Sequence, residues 1–419
     1  MRRLLLLPIM AVLVYSTPVN AQPFTYQPST DTSAPADERS GPLNLQAALA
    51  LTAARSRGLA AAVKEVDAMQ GGVIQAGVRP NPELGIDLQD TRRDTRTTAG
   101  TISIPIELGG KRAARVTAAE RARGVAIADL SAVRADLRAQ TVAAFFNVLI
   151  AQEQSKLAVA SADVAARGFD VASRRVAAGK VSPLEETRAS VERANADLEV
   201  QQAGFRLRTA RQQLSSLWGN AQPNFTEVIG DLDALPSRPP ALELAQRLDE
   251  SPELVLGRAE IERRRAVVGL ERARRYPDVR LTVGSQRNNE LGLTQTLVGV
   301  SIPLPLFDRN QGNLYEALVR ADQAEDIYAA TYIRLVSDLE TASNQLESSR
   351  TGAATLQAQI VPSAQEAYRA ATLGFEAGKF GFIDVLDAQR TLFLARIRYI
   401  ATLAESYQAA IALDRILGR

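Results

Sequence analysis

The chain has 419 residues, with 49 Lys and Arg against 47 Asp and Glu, no His and no Cys, and a net charge of +2. Without imidazole or thiol, Ser-His-Asp and Cys-His catalysis and His- or Cys-ligated metal centres are excluded, as are a disulfide framework and a lipid-modified Cys. No block of like charge accumulates, which argues against a nucleic-acid surface.

Met1-Arg2-Arg3, an apolar run to Tyr15 and the small-residue site Val19-Asn20-Ala21 read as a secretory signal over residues 1–21. The run is too short to span a bilayer comfortably, and no later stretch reaches about 18 apolar residues. Residues 22–42, rich in Pro, Ser, Thr and Asp, read as a flexible N-terminal segment. An Ala-rich helix is expected over 43–78, stopped by Pro80 and Pro82. Alternation of Leu84, Ile86, Leu88 and of Ile102, Ile104, Ile106 predicts strands at 83–89 and 98–108, a hairpin within 81–108 around the polar run 91–96. Pro105 is placed at a helix–strand boundary. After Gly109-Gly110, Leu130, Val133, Leu137, Phe145, Val148 and Leu149 recur at spacings of three, four and seven. A helix of roughly 65 residues follows, on the order of 100 Å long at 1.5 Å per residue. It turns at Gly179 into a helix of about 35 residues ending near Trp218. Residues 219–240, with Pro223, Pro236, Pro239 and Pro240, form a linker.

From residue 241 the order repeats: a helix ending at Pro277, a hairpin within 278–305 turning around 286–291, boundary prolines Pro303 and Pro305, a second very long helix, a turn at Gly378 and a last helix to about Leu417. Pro362 falls inside that helix, where a kink or local break is expected. Arg79-Pro80-Asn81-Pro82, Ile104-Pro105-Ile106 and Ala178-Gly179-Lys180 return as Tyr276-Pro277-Asp278-Val279, Ile302-Pro303-Leu304 and Ala377-Gly378-Lys379, each about 198 residues later. The chain is therefore read as a duplicated unit, 43–218 and 241–419. Gly374-x-x-x-Gly378-Lys379 is one residue short of a phosphate loop and has no Ser or Thr after the Lys. A carboxylate pair able to hydrolyse sugars has no recognisable pocket.

Two short hairpins per chain are marginal alone, and four strands cannot close a barrel. Three chains would supply twelve strands, enough for a closed barrel with a channel. The competing reading makes the hairpins caps on a soluble periplasmic helical scaffold without a pore. Residues 81–108 and 278–305 contain no aromatic for a membrane girdle, leaving only the flanking Tyr276 and Phe307.

Over nearly the whole mature chain the sequence resembles the TolC-like outer membrane factors. Ile104-Pro105-Ile106-Glu107-Leu108-Gly109-Gly110-Lys111-Arg112 and Ser301-Ile302-Pro303-Leu304-Pro305-Leu306-Phe307-Asp308-Arg309-Asn310-Gln311-Gly312 most resemble the heavy-metal efflux branch, the cobalt-zinc-cadmium resistance type. The resemblance implies a mainly α fold with a small β part: long antiparallel coiled-coil helices and four transmembrane strands per chain. Three chains would form a twelve-stranded outer membrane barrel and a periplasmic helical tunnel. It implies a non-enzymatic, cofactor-free homotrimer in outer membrane lipid, joined through a periplasmic adaptor to an inner membrane pump of the RND type. The duct would pass divalent cations such as Co, Zn, Cd and Ni; the same fold serving drugs or polypeptide secretion is the alternative.

The resemblance further places the adaptor contacts at the hairpin tips, with Arg175, Gly179 and Lys180 in one and Phe375, Gly378 and Lys379 in the other. Gly followed by Lys is equally ordinary helix-ending chemistry. Asp384 and Asp387 resemble the family's acidic pair near the closed end of the tunnel, and their spacing of three puts both on one helix face. Threefold symmetry would make them stacked cation-attracting rings, although Asp on a helix is more commonly a solvated surface acid. In the first repeat Glu185 and Arg188 occupy the corresponding positions, and Arg188 or a neighbour is expected to pair with the acids to hold the tunnel shut. After signal removal Met69 carries the only sulfur. No soft ligand is then available for tight metal binding, which suits a passive conduit.

Overall fold

The computed structural model describes Glu38 and residues 40–377 and 379–419. The signal 1–21, nearly all of segment 22–42, and Gly378 lie outside the described residues. The chain enters through β1 (Leu43–Asn44), α1 (Leu45–Arg55) and α2 (Arg57–Ala76). The single helix expected over 43–78 is thus divided at Ser56. This residue is extended (φ −61°, ψ 118°); its N–H closes α1 on the Thr52 carbonyl at 3.0 Å, and its Oγ accepts the Leu59 N–H at 3.5 Å to open α2.

Strands β2 (Glu83–Gln89) and β3 (Thr97–Ile106) precede α3 (Lys111–Ala177), whose 67 residues span on the order of 100 Å. Both Gly109 (φ 69°) and Gly110 (φ 71°) are left-handed; a Cβ on Gly109 would lie 2.5 Å from the Tyr276 ring. After the turn, α4 (Pro183–Ser216) returns. The linker contributes β4 (Val228–Ile229), and α5 (Ala241–Ala245) and α6 (Pro252–Arg274) lead to β5 (Val279–Asn288) and β6 (Leu293–Ser301). Then come α7 (Gln311–Thr355), one π-helical turn over Leu356–Ile360, α8 (Val361–Glu376) and α9 (Phe382–Ile416). Asn310 opens α7 with φ 56°, doing for the second long helix what Gly110 does for the first; its Nδ2 donates to the Glu271 carbonyl at 2.9 Å and carboxylate at 2.7 Å. The π turn lies immediately before Pro362. Proline lacks the ladder N–H and its ring crowds the carbonyl four residues back, so the wider turn absorbs the defect and the helix continues.

The second hairpin turns at 289–292, not at 286–291: Gln286 and Arg287 remain paired in β5, and Gly292 (φ 64°) supplies the reversal. The two hairpins join through β3 and β5 into one antiparallel sheet of order β2-β3-β5-β6. Pro105 sits inside β3 opposite Arg280, whereas a boundary was expected. The last β2 pair is Glu83 with Ser103, so β3 has one neighbour at Pro105, where a missing N–H is tolerated as on an edge strand. Pro80, Pro82, Pro277, Pro303 and Pro305 do lie between helix and strand.

Near the sheet the helices follow the strand order, with α3 packed on α2 and α6, and α6 on α7; toward the tips α3 carries α4 and α9, and α9 carries α7 and α8. Small residues build the seams. Ala151, Ala158, Ala165 and Ala172 of α3 are buried at seven-residue intervals, as are Ala203 and Ala210 of α4. That period is the left-handed coiled-coil repeat, and alanine lets the axes approach closely. Leu130, Val133 and Leu137 are only half-buried, the buried positions there being Ala128, Ala135 and Ala139.

The largest core lies midway along the long helices, where β1 pairs in parallel with β4. The linker is part of this core: Phe225, Val228 and Leu232 pack on Phe145, Val148, Leu149, Leu403 and Tyr407. The buried Gln152 amide closes on Val228, accepting its N–H at 2.8 Å and donating to its carbonyl at 3.1 Å. Glu38 accepts from Trp218 Nε1, Asn220 Nδ2 and the Asn224 N–H at 3.0, 2.6 and 2.7 Å, tying the entry of the chain to the linker.

Candidate functional site

Three features position function: the sheet, the hairpin tips and the acidic positions beside them. The register sorts the sheet into two chemically different faces. Leu84, Ile102, Val283 and Val298 fall in one cross-strand row, and Ile104, Leu281 and Val300 in the next. The opposite face carries rows such as Glu83, Ser103, Thr282 and Asp87, Ala99, Gln286, Gln295. There Ser103 and Thr282 hydroxyls bond at 3.0 Å, and Arg280 pairs with Glu83. The apolar face is open to its surroundings: Leu84, Ile86, Val298 and Val300 are each at least 65% exposed. A sheet in water buries its apolar face and wets its polar one. This sheet displays an exposed apolar band across all four strands at its helical end, giving way to Thr98, Ser285, Arg287, Thr294 and Thr296 toward the hairpin turns; such a band is the pattern of a strand set with lipid on one side and water on the other. Strands β2 and β6 each have one free edge. Among the described residues no helix is long and apolar enough to cross a membrane.

At the first tip Gly179 (φ 64°) reverses the chain, and the Lys180 N–H donates to the Arg175 carbonyl at 2.9 Å. The second tip repeats the bond from the Lys379 N–H to the Gly374 carbonyl at 2.8 Å. Phe375 departs from the expected contact set. It is 7% exposed, packs on Phe382 with ring centroids 5.7 Å apart, and lies beneath the Arg175 guanidinium at 4.1 Å. Arg175 and Phe375 therefore bind one tip to the other within the chain. The exposed apolar residues at the tips are instead Leu184, Phe380 and Ile383. Sequence reasoning missed them, although Leu184 and Ile383 are equivalents in the repeat.

Asp384 and Asp387 are both exposed at the start of α9. Asp384 accepts the Gly381 N–H at 2.8 Å, so its carboxylate caps its own helix, where the positive end of the dipole also favours it. Arg188 is exposed and Glu185 half-buried, and among the described residues Arg188 pairs with neither aspartate. The ion pair that links α4 to α9 here is Arg390 with Glu192, at 2.5 Å. The Glu192 hydrogen bond and charge, with a smaller contribution from Asp387, hold the Arg390 guanidinium above its ordinary pKa. Among the described residues no group of His, Cys, Asp or Glu could hold a metal ion.

The profile of outer membrane efflux proteins matches residues 48–220 and 244–419. The chain belongs to the outer membrane efflux protein family. It is 56% identical over 382 residues to the cobalt-zinc-cadmium resistance protein CzcC of Cupriavidus metallidurans, covering 91% of each chain. The nickel and cobalt resistance protein CnrC of the same organism is 28% identical over 291 residues, 67% of each chain. The solved CusC structure, described with transmembrane channel formation, superposes with a TM-score of 0.76 at 18% identity, over 89% of this chain and 91% of that one. The family explains why the sheet has one apolar exposed face: this chain is built for the outer membrane, and its helices and strands share the fold of solved channels.

Proposed function

We propose that the chain is the outer membrane duct of a heavy-metal efflux assembly, a homotrimer passing Co, Zn, Cd or Ni cations outward. The observation that carries the reading is the apolar, exposed face of a four-stranded sheet with two free edges. Three copies joined β2 to β6 make a closed twelve-stranded barrel, which removes every edge and leaves the polar face on a lumen. The helices support the same closure. Val191, Leu198 and Phe205 on α4 are exposed at seven-residue intervals, an unpartnered coiled-coil stripe on the outer helix of the first repeat. In a ring that stripe meets the α7 and α8 side of the next chain.

The resistance proteins named above support the cargo, and the lack of any metal-holding cluster among the described residues suits a conduit that releases what it carries. We read residues 1–21 as a signal peptide and 43–218 and 241–419 as the two repeats around the linker. The tips, through Leu184, Phe380 and Ile383 with Lys180 and Lys379, meet a periplasmic adaptor bound to an RND pump. Asp384 and Asp387 from three chains form the acidic constriction, with Glu185 and Arg188 beside them.

The test is growth of a deletion strain across Zn²⁺, Co²⁺, Cd²⁺ and Ni²⁺ with dyes and antibiotics as controls. Metal sensitivity restored by the gene is the expected result. Sensitivity to dyes and antibiotics alone would overturn the cargo.

A further inference from the structure

A cleft of about 740 Å³ lies where the strands leave the sheet, between Gly109, Tyr276 and Pro305 on one side and Gly269, Arg272, Arg275 and Arg309 on the other. Three guanidinium-bearing side chains meet there. The rest of α6 shows how unusual that is. Arg258, Arg263, Arg264, Arg265 and Arg274 each pair with a carboxylate, while among the described residues Arg272 and Arg275 have no carboxylate partner. Nor does Arg309, whose Nε donates to the Pro305 carbonyl at 3.2 Å. The nearby acids are already engaged: Glu271 with Arg274 and Asn310, Asp278 with Lys111, Glu107 with Arg115, and Asp308 with the Asn310 N–H. The cleft is therefore a concave surface of uncompensated positive charge. Small residues keep it open; a Cβ on Gly269 would meet nothing within 4 Å.

Its level in the molecule identifies the anion. Gly109, Tyr276 and Pro305 each lie a few residues beyond the ends of β3, β5 and β6, at the helical margin of the apolar face. Beside them Leu304, Leu306 and Phe307 are exposed, Phe307 at 90%. If the sheet spans the outer membrane, as proposed above, this is the depth of the inner-leaflet phosphates. Arginine binds phosphate oxygens in a bidentate fork, and basic clefts at a membrane margin take anionic headgroups. We propose that Arg272, Arg275 and Arg309 form a binding site for the phosphate of an anionic phospholipid, holding the barrel at a fixed depth. Arginine at a helix C-terminus also suits the helix dipole, but that role needs neither the cleft nor Arg309, which belongs to another segment.

The test is native mass spectrometry of the full-length protein extracted from outer membranes and incubated with phosphatidylglycerol, phosphatidylcholine or inorganic phosphate. Wild type is expected to retain phosphatidylglycerol and not phosphatidylcholine. R272Q/R275Q/R309Q is expected to lose at least about tenfold in retention, each lost charge-assisted bond being worth roughly a factor of ten. G269L, which fills the cleft without changing charge, should give the same loss, and R264Q/R265Q, which removes paired arginines, should give none. Equal retention by wild type and both cleft variants would overturn the site. Arginine-dependent binding of inorganic phosphate without lipid retention would overturn the lipid. Heat-modifiable trimers in each sample separate the two claims: trimers without lipid retention sink only the cleft, and the lack of trimers in wild type sinks the duct.

Discussion

Val298→Arg separates a membrane sheet from a soluble cap. Val298 is 71% exposed, faces Val283 at mid-height of β5, and stands in the row with Ile102 and Leu84. On a sheet in water an exposed Val→Arg change costs within about 0.5 kcal/mol. At the midplane of a bilayer the same change costs about 2–4 kcal/mol per chain, roughly 6–12 kcal/mol for three chains. Gln295→Arg is the matched control, since Gln295 pairs with Gln286 on the opposite, polar face. The assay is the fraction of heat-modifiable oligomer in the outer membrane on a semi-native gel. Val298→Arg should abolish it and Gln295→Arg should leave it. Full oligomer with Val298→Arg would refute the assignment of that face to lipid.

Asp384→Ala with Asp387→Ala should raise the resting conductance of reconstituted channels and lower their preference for cations; unchanged conductance and selectivity would remove the acidic constriction. Because Asp384 also caps α9, Asp384→Ala alone should cost about 1 kcal/mol of local stability, seen as faster amide exchange in the first turn. Phe375→Ala should loosen the tips by about 3–5 kcal/mol, read as protease sensitivity near residue 375, with Arg175→Ala giving a smaller effect of the same kind. Tyr407 supplies a pH test: burial pushes its phenol up to about 12, while its hydroxyl donates to the Ala234 carbonyl at 2.8 Å and the Asp231 carbonyl at 2.9 Å. The folded pKa is above the unfolded one, so this stabilisation is complete below about pH 10 and is lost as pH rises toward 12. Tyr407→Phe should flatten the fall in thermal stability between those limits.

The periodic and punctuated parts of the chain were legible in its sequence. Strand alternation, the long apolar repeat and the Gly and Pro positions act locally, so α3, the sheet strands and the defect before Pro362 followed from the residues. What escaped depended on distant partners. Ser56 breaks a helix that its neighbours favour because it can cap both pieces, and Val228 becomes a strand because the Gln152 amide takes its N–H and carbonyl while Leu43 pairs alongside, donating to the Glu227 carbonyl. Phe375 looked like a contact residue until Arg175 and Phe382 covered it. The tip surface, by contrast, was readable in retrospect. Leu184 and Ile383 are large apolar residues at equivalent places in two polar turns, and comparing the repeats position by position would have found them.

Single-particle imaging of the protein extracted from outer membranes tests the central claim most directly. A particle with threefold symmetry, a twelve-stranded barrel in the detergent belt and β2 of one chain paired to β6 of the next is the predicted result. A monomer or dimer with its four-stranded sheet in water would contradict it.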